Sequence, residues 1–95
     1  MTAAMQLDYL AALVESVTGY APLTPRRSRP VVEARALLAG ILLSQGQSLT
    51  AVGDAIGWNH ATVLYYRTML DDALKYGTRP EMARNWAKLK NILDL

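Results

Sequence analysis

The side chains of this sequence with the clearest chemistry are basic and lie close together. The stretch 24–36 contains one acid, Glu33, and four arginines: Arg26, Arg27, Arg29 and Arg35. Because the net charge of the whole chain is only +2, it is this local excess that predicts contact with a polyanion such as nucleic acid. The plainer alternative is a solvated arginine-rich loop that has no partner. We expect no acid near Arg26, Arg27 and Arg29 to pair with them, which favours contact with DNA. Arg35 has a further alternative, an ion pair with Glu33 or with an acid of the first helix.

A second group of residues places hydrogen-bonding side chains at the predicted start of a helix. It follows Gly57 and Trp58 and consists of Asn59, His60, Ala61 and Thr62. Side chains at a helix start project beyond its end, and the unpaired backbone N–H groups there attract phosphate. Structural alternatives exist: Asn59 could serve only as an N-cap, His60 could be an ordinary surface residue, and Trp58 could fill the edge of the core.

Other kinds of chemistry are poorly represented. The chain has no cysteine and one histidine, so we expect no disulfide, no metal site and no cofactor, and no motif predicts a small-molecule substrate. Adjacent Tyr65 and Tyr66 raise the idea of a strand-nicking nucleophile, but no cluster of metal ligands accompanies them, and we expect no enzymatic activity. The lack of a long apolar run or an N-terminal signal predicts a cytoplasmic protein without membrane contact.

The elements that must position these residues are predicted to be helices throughout. Hydrophobic periodicity and the punctuation by glycine, proline and capping residues indicate a single all-α domain over residues 1–95. Its predicted parts are a first helix over 1–18, a basic arm over 19–29, a central helix over 30–45, two helices joined by a turn over 48–76, and a last helix over 78–94.

Local signals set these predicted boundaries. Pro30 opens the central helix, which is apolar on nearly every side and is therefore expected to be buried. Ser48 and Asn59 are predicted N-caps of helices over 49–56 and 60–76, with Gly57 in the left-handed conformation between them. Residues 78–81 have the sequence of a capping box. The predicted buried faces of the last two helices are Val63, Tyr66, Leu70, Ala73 and Leu74, and then Met82, Trp86, Leu89 and Leu93.

A short helix, a turn that contains glycine and a longer helix with a polar first turn are typical of a helix-turn-helix. In that motif the second helix lies in the major groove of DNA and presents its N-terminal residues to the base edges. The same pattern also occurs in proteins that bind no nucleic acid. Together with the basic arm, it predicts binding of double-stranded DNA.

Three strings of residues carry a resemblance to a known family: RRSRPVVEAR over 26–35, SLTAVGDAIG over 48–57 and NHATVL over 59–64. They resemble the C-terminal DNA-binding domain of the bacterial replication initiator DnaA, and the resemblance extends over essentially the whole chain. It implies a helical fold related to the Trp repressor. It also implies recognition of a short, non-palindromic duplex site.

The resemblance further implies roles for individual residues. Arg27 stands where the family places an arginine in the minor groove, and Arg35 stands where an arginine reaches toward the major groove. Leu49 and Thr50 stand at the N-terminus of the short helix, which meets the DNA backbone and base methyl groups. The residues in place of the family's His-Thr-Thr run, which reads base edges, are His60, Ala61 and Thr62.

This sequence differs from the family's pattern at several positions, which limits how far the family's DNA contacts apply to it. Only Trp58 and Asn59 stand between Gly57 and His60, so the turn is one residue shorter than in the family, and Asn59 replaces an aspartate. An aspartate can accept from cytosine N4 whereas an asparagine suits adenine N6 and N7, so we expect a different DNA sequence to be read. Ala61 replaces a threonine and lacks its hydroxyl. No counterpart of the initiator's ATPase portion occurs in this sequence, so the expected role is that of a stand-alone regulator or recruiter.

The alternative function is a protein-interaction module that reuses the same fold to bind a replication or regulatory protein. Joint exposure of Trp58, Tyr65 and Met69 would favour this alternative, because these side chains would form an apolar patch. A continuous positive strip from Arg26 to His60 would favour DNA instead.

Overall fold

Five α-helices and the turns between them make up the part of the chain that the computed structural model describes, residues 3–95, with side chains from Gln6 onward. Helix α1 spans Ala3–Thr18, α2 spans Arg29–Ser44, α3 spans Leu49–Ile56, α4 spans His60–Tyr76 and α5 spans Pro80–Leu93. The predicted all-α class with five helices is confirmed. Residues 1 and 2 of the predicted first helix lie outside the described residues.

The central element is α2, as its nearly continuous apolar sequence predicts. Every residue from Ala34 to Leu42 is buried, and α2 contacts each of the other four helices. A helix that is apolar on all sides can bury its surface only by being surrounded in this way. The core around α2 includes Leu10 and Val14 of α1, Val52 of α3, Leu70 of α4 and Leu89 of α5.

Capping residues set the boundaries of α3 and α4. The Ser48 hydroxyl oxygen accepts a hydrogen bond from the backbone N–H of Ala51 at 3.0 Å, which satisfies one of the free donors at the start of α3. Helix α3 ends at Gly57, whose φ of 81° and ψ of 27° lie in the left-handed region that favours glycine. Trp58 and Asn59 lie outside regular helix. The predicted succession of helix, left-handed turn and helix is therefore confirmed, while its assignment as a DNA-binding motif stays a prediction.

Some local predictions are wrong. Leu74 is exposed instead of facing the core, because Ala73 completes the buried stripe of α4 and each further residue is rotated by about 100° around the helix. The capping box over 78–81 is not formed: α5 has Arg79 as its N-cap residue, without a side-chain cap. A residue before proline is disfavoured in helical backbone conformation, so α5 begins only at Pro80. Helix α2 begins at Arg29, one residue earlier than predicted, so the basic arm comprises residues 19–28.

None of the helices in the described part of the chain is both long enough and apolar enough to cross a membrane.

Candidate nucleic-acid interface

Arg35 is buried, with only 1% of its surface exposed, and its guanidinium binds the backbone of the basic arm. Its Nε donates a hydrogen bond to the carbonyl oxygen of Pro22 at 3.1 Å. One terminal nitrogen donates to the carbonyl oxygen of Thr24 and, at 2.8 Å, to that of Arg26. The other terminal nitrogen donates to the Tyr66 hydroxyl at 3.2 Å. One side chain thus ties the arm to both α2 and α4.

This geometry corrects the sequence-based interpretation of Arg35. The resemblance predicts that Arg35 reaches toward the major groove of DNA, but the side chain points into the protein and is not accessible. The alternative ion pair with Glu33 or with an acid of α1 is also wrong, since the partners are backbone carbonyls and a hydroxyl. A guanidinium presents five N–H donors in a rigid fork and can therefore serve several acceptors at once. The arm needs such a donor, because its carbonyls lie outside any helix.

Trp58 connects the basic arm to the turn between α3 and α4. The centroid of its ring lies 4.6 Å from the guanidinium carbon of Arg35 and 5.5 Å from that of Arg27, distances at which cation–π attraction operates. The ring is half-buried and packs against the core, which confirms that it fills the core edge. Arg27 is consequently held beside the residue that immediately precedes Asn59 and His60.

The turn after α3 folds closely over its own helix, and Gly53 permits this close approach. The Gly53 carbonyl oxygen accepts hydrogen bonds from the backbone N–H groups of Gly57 at 2.9 Å and of Trp58 at 3.0 Å. A Cβ atom at position 53 would overlap the carbonyl oxygen of Trp58. The sequence analysis missed this residue, because a glycine inside a helical pattern signals only a weak helix former until its neighbours are known.

The start of α4 consists of the N-cap residue Asn59, whose side chain is engaged in capping, and of His60 and Ala61 in the first turn. The Asn59 Oδ1 atom accepts hydrogen bonds from the backbone N–H of Thr62 at 2.8 Å and from the Thr62 hydroxyl at 3.1 Å, so the predicted N-cap is confirmed. Recognition of adenine through both its N6 and N7 atoms would need the Asn59 Oδ1 atom as an acceptor, and the cap already uses that atom. Asn59 can therefore offer a base its amide N–H donors while the cap stays formed. His60 and Ala61 are exposed to solvent.

The N-terminus of α3 contributes little side-chain surface. Thr50 is exposed, whereas Leu49 is half-buried and packs against the core. Of these two predicted contact residues, only Thr50 presents its side chain mainly to solvent.

Arg29 and Glu33 form an ion pair within α2, with the Nε and Oε2 atoms 3.0 Å apart. Arg79 reaches the same Oε2 atom at 2.9 Å, although 46 positions separate it from Glu33. The expectation that the predicted arm arginines lack acidic partners is therefore wrong for Arg29, which lies in a helix one turn before Glu33. Arg26 and Arg27 are exposed, and neither forms an ion pair with the described residues.

The predicted contact residues differ in how accessible their side chains are. Five exposed residues belong to the arm and to the segment that follows Trp58; we call them the arm–turn surface, and they are Arg26, Arg27, Asn59, His60 and Ala61. The Arg35 hydrogen bonds and the Trp58 ring connect the arm to the turn. Thr50 is exposed at the start of α3, whereas Leu49 and Thr62 are half-buried, and the Thr62 hydroxyl donates to Asn59. Arg35 lies beneath this surface, and the Arg29 side chain is directed to Glu33. Arg79, which shares that acid, is a neighbouring basic residue that the sequence analysis did not single out. Among the described residues, no group of three or more acidic or histidine side chains could hold a metal ion.

Comparisons with models of known protein families, with curated proteins and with solved structures gave no match. The resemblance to the initiator's DNA-binding domain therefore stays a prediction that depends on the residues of this chain alone.

Proposed function

We propose that this chain binds double-stranded DNA through the arm–turn surface and has no catalytic role. In this proposal Arg26 and Arg27 of the arm enter the minor groove, where the pattern of donors and acceptors is degenerate. The first turn of α4 faces the adjacent major groove, where His60 and Ala61 meet base edges and the helix N-terminus meets phosphate. A chain with these contacts acts as a regulator or as a recruiter of other proteins to DNA.

The observation that supports the proposal best is the position of Arg27 beside Trp58, with 5.5 Å between its guanidinium carbon and the ring centroid. Together with the contact of Arg35 to the same ring, it connects the arm to the turn before α4. The Arg35 hydrogen bonds to Pro22, Thr24 and Arg26 fix the arm backbone before any ligand arrives. Ordering a segment in advance lowers the entropic cost of binding, so the arm is better suited to DNA than a free loop would be.

The alternative of a protein-interaction module receives less support from the same residues. Met69 is buried, with 5% of its surface exposed, and the Trp58 ring is half-buried beside two arginines. Tyr65 is exposed, but a single tyrosine is ordinary on a protein surface. The apolar patch that this alternative requires is therefore not assembled around these three residues.

Selection of bound sequences from a random pool of DNA duplexes tests the proposal. We expect the wild-type chain to enrich a short, non-palindromic sequence. A parallel selection with His60→Ala should retain DNA but enrich that sequence less, because phosphate contacts remain while a base contact is removed. Failure of the wild-type chain to retain any duplex at low salt would contradict the proposal.

A further inference from the structure

A second basic surface lies next to the arm–turn surface, and the proposed function does not use most of it. It is a groove of about 420 Å³ between the arm, α2, α4 and the start of α5. We call it the arginine groove; the residues that line it are Arg27, Arg29, Val32, Tyr65, Met69 and Arg79. From this geometry we infer that the arginine groove holds the sugar–phosphate backbone of the DNA strand that continues past the arm. The inference depends on the proposed function.

The charges around the groove favour an anionic occupant. Glu33 Oε2 accepts from both Arg29 and Arg79, so one acid serves two arginines, and Arg27 adds a third positive charge. The Arg29 side chain remains 72% exposed, which leaves most of its donors accessible from solvent. Another acid, Asp72, lines an adjoining hollow but forms no ion pair within the described residues. The groove therefore keeps a positive excess.

Helix ends add to this excess. Arg29 is the first residue of α2 and Arg79 is the N-cap residue of α5, so the N-terminal ends of two helices lie at the groove. Neither end has a side-chain cap, unlike α3 and α4, whose N-caps accept hydrogen bonds from backbone N–H groups. The positive end of a helix favours phosphate through its dipole. Pro30 and Pro80 in the first turns have no N–H to donate, so the arginine side chains are the main donors at the groove.

The shape and the remaining lining fit a nucleic-acid backbone. The groove is open to solvent, and Tyr65, which is 56% exposed, lies at it with a hydroxyl that can donate to a phosphate oxygen. Arg27 lines the groove and also contacts the Trp58 ring, so a strand that leaves the arm–turn surface at Arg27 would pass directly to Arg29 and Arg79. The continuity through Arg27 makes DNA a better occupant than an unrelated anion.

The test compares Arg79→Ala with a matched control, Arg84→Ala. Arg84 also pairs with a glutamate, Glu81, and also belongs to the α5 region, but it does not line the groove. The Arg84–Glu81 pair is exposed and contributes little to stability. The Arg79–Glu33 pair is more buried, but Glu33 keeps Arg29 as a partner when Arg79 is removed. Both variants should therefore fold, which circular dichroism verifies. Binding to a random-sequence duplex is followed by fluorescence anisotropy over a range of salt concentrations.

We expect Arg79→Ala to make the slope of log affinity against log salt shallower by about one unit, which is about an eightfold loss of affinity at about 0.1 M salt. Arg84→Ala should leave the slope unchanged, although it removes the same charge. Arg79→Lys should recover the wild-type slope, because a lysine also neutralises a phosphate. A poly-glutamate peptide should compete weakly with the duplex.

Three results would overturn the inference. If Arg79→Ala and Arg84→Ala behave alike while the wild-type chain binds DNA, the groove holds no strand and only this inference fails. If Arg79→Lys is as defective as Arg79→Ala, the positive charge at this position does not neutralise a phosphate, and the inference fails. If poly-glutamate binds as tightly as the duplex and depends on Arg79, the occupant is an acidic peptide. A wild-type chain that binds no duplex at any salt would remove the proposed function and this inference together.

Discussion

The guanidinium carbon of Arg35 lies 4.6 Å from the centroid of the Trp58 ring, and this contact joins the basic arm to the turn before α4. Arg35 holds the arm through three backbone carbonyls, while Trp58 belongs to the turn that positions Asn59 and His60. The relative placement of the two halves of the proposed DNA-binding surface therefore depends on one buried arginine and one half-buried tryptophan.

Replacement of Arg35 should destabilise the protein and release the arm. In Arg35→Ala the carbonyls of Pro22, Thr24 and Arg26 lose their donor and a cavity forms, so we expect a loss of about 3 kcal/mol or more in the free energy of unfolding. Arg35→Lys should recover little of it, because an ammonium cannot reproduce the planar fork. Urea denaturation measures the loss, and limited trypsin digestion should cut the variant faster after Arg26 and Arg27.

The control for this prediction is Arg67→Ala, which removes an exposed arginine of α4 and should change stability by no more than about 0.5 kcal/mol. Equal stability of the Arg35→Ala and Arg67→Ala variants would show that the buried hydrogen bonds do not hold the arm.

Gly53→Ala should destabilise the protein, although replacement of glycine by alanine usually stabilises a helix. Alanine is normally more favourable than glycine in a helix interior by about 1 kcal/mol. Here the added Cβ would overlap the carbonyl oxygen of Trp58, so the turn has to shift, and we expect a net loss of about 1–3 kcal/mol, as for other overpacked sites. Thermal unfolding followed by circular dichroism checks the sign; a raised melting temperature would mean that the turn does not lie as closely over α3 as described.

Variants of Asn59 should separate its capping role from its contact with DNA. Asn59→Ala removes the acceptor for the Thr62 N–H and should cost about 1 kcal/mol of stability. Asn59→Asp keeps that acceptor and should keep the stability, but it places a negative charge at the DNA surface and should change the preferred base at one position. Unfolding curves and a repeated duplex selection measure the two effects. Identical selected sequences for Asn59→Asp and the wild type would exclude Asn59 as a base contact.

The Arg27→Ala and His60→Ala variants should lose affinity for DNA in different ways. Arg27→Ala should weaken binding on every duplex, because its contacts lie in the degenerate minor groove. His60→Ala should cost about 1–3 kcal/mol on the selected sequence and almost nothing on a scrambled one. Titrations of both variants with both duplexes make the comparison. An equal loss on the two duplexes for His60→Ala would show that the orientation taken from the family resemblance is wrong.

The sequence predicts the parts of this structure that local chemistry determines. Ser48, Gly57 and Asn59 act within one helical turn of their own positions, and the bounds of α3 and α4 follow from them. Some local details are wrong, such as the exposure of Leu74 and the capping box over 78–81. The wrong prediction that matters most for the site, that of Arg35, concerns contacts between residues far apart in the sequence. Nothing near Arg35 in the sequence indicates that the arm, nine to thirteen positions earlier, would cover it. Because Arg35 matches a DNA-contacting arginine of the family that this sequence resembles, the sequence analysis placed it at the surface. The fold buries it instead.

The same limit explains why Arg79 and Gly53 were missed as components of the site. Arg79 meets Glu33 only because α5 packs beside the start of α2. Gly53 matters because the turn returns over its helix. Both relationships are properties of packing between elements, which periodicity and capping signals do not contain.

The measurement that tests the central claim most directly is the salt dependence of wild-type affinity for the selected duplex. In the proposed complex the arm, the start of α4 and the arginine groove would make about four to six phosphate contacts, which predicts a slope of roughly −4 to −5 for log affinity against log salt. Such a slope, with tighter binding to the selected than to a scrambled duplex, is the result we predict. Binding that is weak at low salt and does not change with salt concentration would contradict the account.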